Sequence, residues 1–302
     1  MSRRGALLFM AVGIIWGLPY FLIRISVREL SPSFLVLART VPASLLLLPF
    51  AIRRGGWAQV LRRWRAVVGY TVAEFAIPWL MLFRAEQHLP SSLSGLLIAT
   101  VPLLALALMK LTGSHQPIGA SRMVGVLVGL SGVAVLVGLD VHTGEFIAVG
   151  EVAITAIGYA AGPIIISRYL VGLPSVLVVT TSLLLGSIIY APFALTNIPH
   201  HVCGETIEAV AGLAFGCTAI GFLAFFALIA EVGPARATVI TYVNPAVAVL
   251  LGVLALHERF TAGIAVGFPL VILGSYLSTR ADPGHEARKK LPDDETTPRV
   301  PT

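Results

Sequence analysis

Long apolar segments alternate with short polar ones along almost the whole chain of 302 residues. Ten apolar segments of about twenty residues follow one another, at about 5–24, 33–51, 66–84, 91–110, 121–139, 147–167, 174–196, 208–230, 235–256 and 260–279. A helix needs about 20 mostly apolar residues to cross about 30 Å of hydrocarbon. The pattern therefore predicts an all-α membrane protein with ten transmembrane helices.

The two ends of the chain depart from this pattern in different ways. Arg3 and Arg4 precede the first apolar segment as in a signal peptide. The apolar run continues to about Ile23 without a small-residue cleavage site, which predicts a retained first span. The segment 281–302 is rich in Pro, Asp, Glu and Lys, cannot bury a core and predicts a disordered cytoplasmic tail.

The composition agrees with a chain that lies mostly in the bilayer. Hydrophobic residues make up 57% and charged residues 12%, whereas about 25% of the residues in a soluble domain are charged. The seven histidines all fall in loops or the tail, which disfavours a metal site inside the membrane. We predict no metal and no cofactor.

The net charge of +6 follows the loops and does not indicate nucleic-acid binding. With a cytoplasmic N-terminus, 16 Lys and Arg residues fall on the cytoplasmic side and 4 on the other, while Arg39 lies within a span. Such a bias sets the orientation of membrane proteins. It predicts a multi-pass protein of the plasma (inner) membrane with both termini cytoplasmic.

The second half of the chain repeats features of the first. Ala85-Glu86 and Ala230-Glu231 close the third and eighth segments at an offset of 145 residues. Equivalent prolines follow at offsets of 144 and 143: Pro90 with Pro234, and Pro102 with Pro245. Each half holds an odd number of spans, so the pattern predicts inverted five-helix repeats, which are frequent in secondary transporters. The alternative is chance similarity between helices rich in Leu, Ala and Val.

Four stretches carry a resemblance to a known family: IIWGLPYFLIR at 14–24, SPSFLVLART at 31–40, AEQHLPSSLSGLLIATVPLLALAL at 85–108 and AEVGPARATVITYVNPAVAVLLGVLALHE at 230–258. Together they resemble the EamA type of the drug/metabolite transporter superfamily. The resemblance implies two EamA-like repeats, which we place at 1–140 and 146–280, and transport of small metabolites, often amino acids moved outward. The first repeat departs from the family pattern, because Ser114-His115-Gln116 stands where the second repeat keeps Glu258.

Glu74 is the acid placed deepest in an apolar segment. It lies about eight residues into the third segment, or about 12 Å deep in a helix, where a carboxylate is costly and indicates function. Pro78 lacks an N–H group and should free the carbonyl of Glu74, forming a kink or hinge beside a polar cavity. We predict that Glu74 lines this cavity and couples transport to protons, while a purely structural carboxyl bonded to another helix is the alternative.

Four further residues of the first, second and sixth segments are candidate cavity residues. Arg39 matches a family arginine and could hold a substrate carboxylate or pair with an acid of the protein. Alternatively, its long side chain could extend to the surface. Trp16 and Tyr20 lie four residues apart on one helical face and predict contacts with apolar parts of a substrate, with helix packing as the alternative. Tyr159 is the counterpart of Trp16 in the second half.

The equivalent prolines Pro102 and Pro245 should break the fourth and ninth helices near mid-membrane, as hinges or as static kinks. Beside Pro245 lie Thr241, Tyr242 and Asn244, which we predict to form a polar wall of the cavity.

These features predict a secondary active transporter, most simply an exporter, of small metabolites such as amino acids, working by alternating access. A multidrug or toxic-compound efflux protein shares this fold and is the first alternative. A membrane-embedded enzyme or assembly factor is the second, but the chain has no Walker lysine loop, G-x-S-x-G, H-E-x-x-H or paired Cys-x-x-Cys motif, so we predict no enzyme. Gly125 and Gly129 form a G-x-x-x-G pair, which leaves a homodimer open but more often serves internal packing.

Overall fold

A computed structural model describes residues 2–112, 120–233 and 237–279. The regular elements of these residues are all helical, and none is a strand. The all-α prediction is therefore confirmed for the described part of the chain. The tail predicted at 281–302, the segment Ser114-His115-Gln116 and Pro234 lie outside the described residues.

Eleven helices account for most of the described chain, and each predicted apolar segment contains one of them. In chain order they are α1 (Arg3–Ser26), α2 (Pro32–Arg54), the short α3 (Trp57–Arg62), α4 (Trp64–Ala85), α5 (Ser91–Leu111), α6 (Ala120–Asp140), α7 (Phe146–Tyr169), α8 (Ser175–Leu195), α9 (Gly204–Val232), α10 (Asn244–Ala255) and α11 (Ala262–Thr279).

Eight of these helices are long and apolar enough to cross a membrane, namely α1, α2 and α4 to α9. The two remaining apolar stretches, Ile240–Ala255 and Ala262–Leu277, are shorter. They occupy the ninth and tenth predicted segments. The structure therefore describes a multi-span membrane protein.

Four of the long segments contain irregular turns. The chain forms π-helical turns at Thr71–Ala76 inside α4 and at Gly212–Ile220 inside α9. Helix α5 consists of Ser91–Ile98 and Val101–Leu111 with a break between them, and the 3₁₀ turn Thr238–Tyr242 precedes α10. Pro78, Pro102 and Pro245 each occupy the first turn of the helical piece that follows an irregularity, where a missing N–H group is harmless. An irregular turn or a break in the helix therefore precedes each of the three prolines.

Helix packing couples the two halves of the chain. Helix α2 packs on α8, α6 packs on α11 and α5 packs on α10. Helix α1 packs on α9 and α10, and α7 packs on α4 and α5. The extensive contacts thus join a helix of the first half to a helix of the second half.

Glycines allow some of these helices to approach very closely. A side chain at Gly274 of α11 would meet the backbone of Gly129 in α6, and a side chain at Gly132 would meet the backbone near Gly267. The G-x-x-x-G pair predicted from the sequence therefore includes a glycine used for packing inside the molecule.

Carboxylates hold several helix ends in place. Glu258 accepts hydrogen bonds from the backbone N–H groups of Ser91 (2.7 Å) and Ser92 (3.0 Å), which caps α5. Glu29, in the turn after α1, accepts from the N–H of Cys203 (3.0 Å) at the start of α9. This hydrogen bond lowers the pKa of Glu29 from its usual range.

Candidate functional site

The side chain of Arg39 lies inside the helical bundle and is only 6% exposed. Its Nε donates to Thr218 Oγ1 of α9 (2.8 Å), and its guanidinium lies over the Trp79 ring of α4, 3.7 Å from the centroid. Tyr20 of α1 and Tyr159 of α7 belong to the same packed side-chain cluster as Trp79. We call these five side chains the central polar cluster. It joins the long helices α1, α2, α4, α7 and α9.

The π-helical turn of α9 positions two polar groups of this region. The Thr218 hydroxyl also donates to the carbonyl of Leu213, five residues earlier (2.8 Å), which follows the wider π register. One residue before it, the carbonyl of Cys217 accepts the indole N–H of Trp16 (3.1 Å). The irregular turn therefore supplies contacts to both α1 and α2.

Trp16 contributes mainly to packing between α1 and α9. Its ring lies 4.6 Å from the Phe225 centroid and 5.5 Å from the Phe222 centroid. Tyr20, one turn further along α1, is buried and faces Gly95 of α5. The two aromatic residues predicted on one face of α1 therefore contact different helices, and Tyr20 is the one that belongs to the central polar cluster.

Glu74 lies in the π-helical turn of α4, and its carboxyl group faces α7. A methyl group added at Gly162 would overlap Glu74 Oε2, so the glycine leaves the space that the carboxyl occupies. Glu74 Oε2 is buried and accepts no hydrogen bond from any described residue. Tyr159 is half-buried and packs against the core cluster that contains Trp79. It lies about one helical turn before Gly162, the glycine that faces the Glu74 carboxyl.

Carbonyl groups around Pro78 are satisfied by neighbouring helices. The hydroxyl of Tyr190 donates to the carbonyl of Ala76 (2.9 Å), and the hydroxyl of Thr155 donates to the carbonyl of Pro78 (3.0 Å). These bonds tie the irregular turn of α4 to α8 and α7. The kink is therefore stabilised from two sides.

The predicted polar wall beside Pro245 contacts α1 and α11. With its amide oriented to satisfy its hydrogen bonds, Asn244 donates to the carbonyls of Gly13 (3.0 Å) and Ile240 (3.1 Å). Tyr242 donates its hydroxyl to the carbonyl of Ser275 (2.9 Å), and Thr241 is half-buried in the 3₁₀ turn. These residues line the junction between α10 and its neighbours.

The break before Pro102 is bonded in a similar way, because the Ser275 hydroxyl donates to the carbonyl of Ala99 (2.8 Å). Ser275 thus contacts the two proline-linked breaks, in α5 and before α10. Among the described residues, no three His, Cys, Asp or Glu side chains come together as a metal site.

Two buried acids were not among the candidates drawn from the sequence. Glu86 is 0% exposed, its two carboxyl oxygens accept no hydrogen bond from described residues, and Arg24 instead donates to its backbone carbonyl. Glu151 is 7% exposed and bonded to Arg84 Nε (2.7 Å), which links α7 to α4. The repeated Ala-Glu pair marks Glu86 in the sequence, but no periodic signal shows that its side chain points inward.

Comparison with known proteins gives an independent indication of what the chain is similar to. The EamA-like transporter family matches residues 3–138 and 147–280. The chain belongs to this family. It is 33% identical over 288 residues to the uncharacterized inner membrane transporter YedA of Escherichia coli K12, covering 88% of this chain and 90% of YedA.

More distant EamA-like relatives and a solved structure extend the comparison. An uncharacterized transporter of Archaeoglobus fulgidus is 25% identical over 272 residues, covering 88% of this chain and 95% of its own. A solved crystal structure matches with a TM-score of 0.67 at 20% identity, covering 92% of this chain and 98% of its own, and shows the same fold. These names indicate a membrane transporter and not an enzyme.

Proposed function

We propose that this EamA-like protein is a secondary active transporter that exports small metabolites carrying a negatively charged group, such as amino acids. The observation that carries the proposal is Arg39. Its guanidinium is buried, its described contacts are with Thr218 and Trp79, and no carboxylate of a described residue pairs with it. A buried charge without a counter-ion is costly. A substrate carboxylate would supply that counter-ion as it enters.

The chemistry of the central polar cluster suits such a substrate. A guanidinium group can bind a carboxylate through two parallel N–H donors. Trp79, Tyr20 and Tyr159 offer aromatic surface with hydrogen-bonding groups beside it. A cationic drug would meet the repulsion of Arg39, so the cluster favours anionic or zwitterionic metabolites over the multidrug alternative.

The mechanism we infer is alternating access between two inverted five-helix repeats, at 1–140 and 146–280. In this arrangement α1, α2, α4, α5 and α6 correspond in order to α7, α8, α9, α10 and α11. The contact of α1 with α9 then corresponds to that of α7 with α4, and the contact of α1 with α10 to that of α7 with α5. The contacts of α2 with α8, of α5 with α10 and of α6 with α11 each join corresponding helices. The π-helical turns at Thr71–Ala76 and Gly212–Ile220 are also equivalent under this exchange.

Glu74 is the group that we propose for proton coupling. Its carboxyl faces α7, the helix that carries Tyr159, and one carboxyl oxygen has no hydrogen-bond partner among the described residues. It could bind a substrate amine or a proton, and a site between opposite charges would hold a zwitterion. The family resemblance favours export across the inner membrane, in which YedA is also named as a transporter, with both termini cytoplasmic.

The experiment that tests this function is a metabolite profile of culture medium with and without overexpression. Wild-type protein is expected to enrich one or more carboxylate-bearing metabolites. Arg39→Gln is expected to abolish this enrichment, and Arg39→Lys to reduce it at least about tenfold, because a lysine cannot present two parallel donors.

Arg28→Gln is the matched control, because Arg28 is exposed in the turn after α1 and carries the same charge. It should leave the enrichment unchanged at equal protein level. An Arg39→Gln strain with the wild-type profile would remove Arg39 from substrate binding.

A further inference from the structure

A second group of arginines lies at one end of the molecule, away from the central polar cluster. It surrounds a recess of about 510 Å³ between the start of α4 and the end of α7. The charged and aromatic residues that line the recess are Arg62, Arg63, Trp64, Arg65, Arg168 and Tyr169. We call Arg62, Arg63, Arg65 and Arg168 the arginine cluster.

The arginine cluster has no counter-ion among the described residues. Arg63 donates to the backbone carbonyls of Tyr169 (3.3 Å) and Val171 (2.7 Å), beyond the C-terminal end of α7. Arg168 donates to the hydroxyl of Thr112 (2.9 Å). The ion pairs of the described chain involve Arg4, Arg84 and His142 instead. Four positive charges therefore converge on one recess with only neutral groups between them.

The position of the recess indicates which anion would reach it. Trp64 begins α4 and Tyr169 ends α7, and both helices are long and apolar enough to cross a membrane. Their side chains are 55% and 59% exposed. Exposed Trp and Tyr at the ends of spanning helices lie at the level of the lipid headgroups. The recess is therefore beside lipid phosphates and not in the aqueous phase far from the bilayer.

We propose that the arginine cluster binds the phosphate-bearing headgroup of an anionic phospholipid. Guanidinium groups match phosphate oxygens with paired donors, and basic recesses between spanning helices are suited to acidic headgroups. Arg63 keeps the end of α7 in place, whereas Arg62 and Arg65 have no described hydrogen bond and are available to the lipid. The Arg65 guanidinium lies 5.5 Å from the centroid of the Trp64 ring, which restrains it at the rim of the recess.

This site depends only on membrane embedding and not on the transported substrate. A lipid held there would bridge α4 and α7, the helices that carry Glu74 and Tyr159. The competing explanation is that these arginines only set the orientation of the chain through diffuse charge. A specific site requires that lipid binding depends on the arginine cluster itself. Diffuse charge predicts that arginines elsewhere contribute to lipid binding equally.

The test uses the purified full-length protein in detergent and counts bound lipids by native mass spectrometry. Phosphatidylglycerol, phosphatidylcholine and inorganic phosphate are the probes. Phosphatidylglycerol is expected to bind at least about tenfold more tightly than phosphatidylcholine. The variant Arg62→Gln with Arg65→Gln is expected to lose about tenfold in affinity for phosphatidylglycerol and to leave phosphatidylcholine binding unchanged.

The matched control is Arg53→Gln with Arg54→Gln, which removes the same charge from exposed residues at the end of α2. It should change the affinity less than about twofold. Equal losses in the two double variants would show diffuse charge and overturn the site. Displacement of the lipid by millimolar inorganic phosphate would also overturn the lipid assignment. If the double variant fails to fold, Arg62→Gln alone is expected to weaken phosphatidylglycerol binding about threefold, and an unchanged affinity would equally overturn the proposal.

Discussion

Arg39 and the carboxyl oxygen Oε2 of Glu74 are both buried inside one helical bundle, and the structure does not pair them. Arg39 donates a hydrogen bond to Thr218 of α9 and stacks on Trp79. Glu74 faces Gly162 of α7. By contrast, Arg84 of α4 and Glu151 of α7 form a direct ion pair at 2.7 Å. The ion pair of Arg84 with Glu151 satisfies its own charges, whereas Arg39 and Glu74 have no ionic partner among the described residues. The functional roles proposed for Arg39 and Glu74 rest on this difference.

The prediction at the residue scale concerns Glu74→Gln. Glutamine keeps the shape of the side chain, but its amide cannot bind or release a proton near neutral pH. Proteoliposomes loaded with a metabolite found in the medium profile should show flux driven by a pH gradient for the wild type. In Glu74→Gln the gradient-driven flux should fall at least about tenfold, and the remaining flux should not depend on pH.

Glu208→Gln is the control for this prediction, because Glu208 is exposed on α9 and has no part in the site. It should behave as the wild type. Normal gradient-driven flux in Glu74→Gln would remove Glu74 from proton coupling and leave Glu86, the other buried acid without a described carboxyl partner, as the next group to substitute.

At the scale of single helices, the sequence predicts three of the four irregular places but not the type of irregular turn at each. Pro78, Pro102 and Pro245 mark the three breaks because proline cannot donate to the preceding turn. The wide turn at Gly212–Ile220 holds no proline, so no sequence signal marks it. The sequence also does not reveal which side chains face inward. Glu86 is at a helix end in the sequence, yet its side chain is buried. Apolar length fixes the helices, whereas rotation about each helix axis depends on contacts between helices.

The prediction at the element scale concerns the contact between α4 and α7. A methyl group at Gly158 would meet the backbone carbonyl of Ala73 and, at 2.5 Å, the Pro78 ring. Backbone and a proline ring cannot move aside, so Gly158→Ala should destabilise the protein by about 1–3 kcal/mol or more. The measurement is the thermal unfolding midpoint in detergent, followed on full-length protein.

Gly150→Ala is the matched control on the same helix, because nothing lies within 4 Å of a methyl group there. Since alanine favours helix over glycine by about 1 kcal/mol, this variant should unfold at the same or a slightly higher temperature. A Gly158→Ala protein as stable as the wild type would mean that α4 and α7 are farther apart than the structure shows.

At the scale of the whole molecule, inverted repeats and a parallel duplication differ in where they place equivalent loops. The loop before α2 and the loop before α8 are equivalent in the two halves. Arg28 and Val171 lie in these loops at an offset of 143 residues, the offset that also relates Pro102 to Pro245. Both residues are exposed, Val171 by 61%. Inverted repeats must place the two loops on opposite sides of the membrane.

This requirement gives the last prediction. In a background of Cys203→Ser and Cys217→Ser, the single variants Arg28→Cys and Val171→Cys should differ in labelling of intact cells by a membrane-impermeant maleimide. Arg28→Cys should react from outside, and Val171→Cys only after the membrane is permeabilised, because an odd number of crossings separates the two loops. Labelling of both from the same side would require parallel repeats. It would also contradict a cytoplasmic location of both termini. Alternating access by two halves that exchange roles would then be contradicted as well.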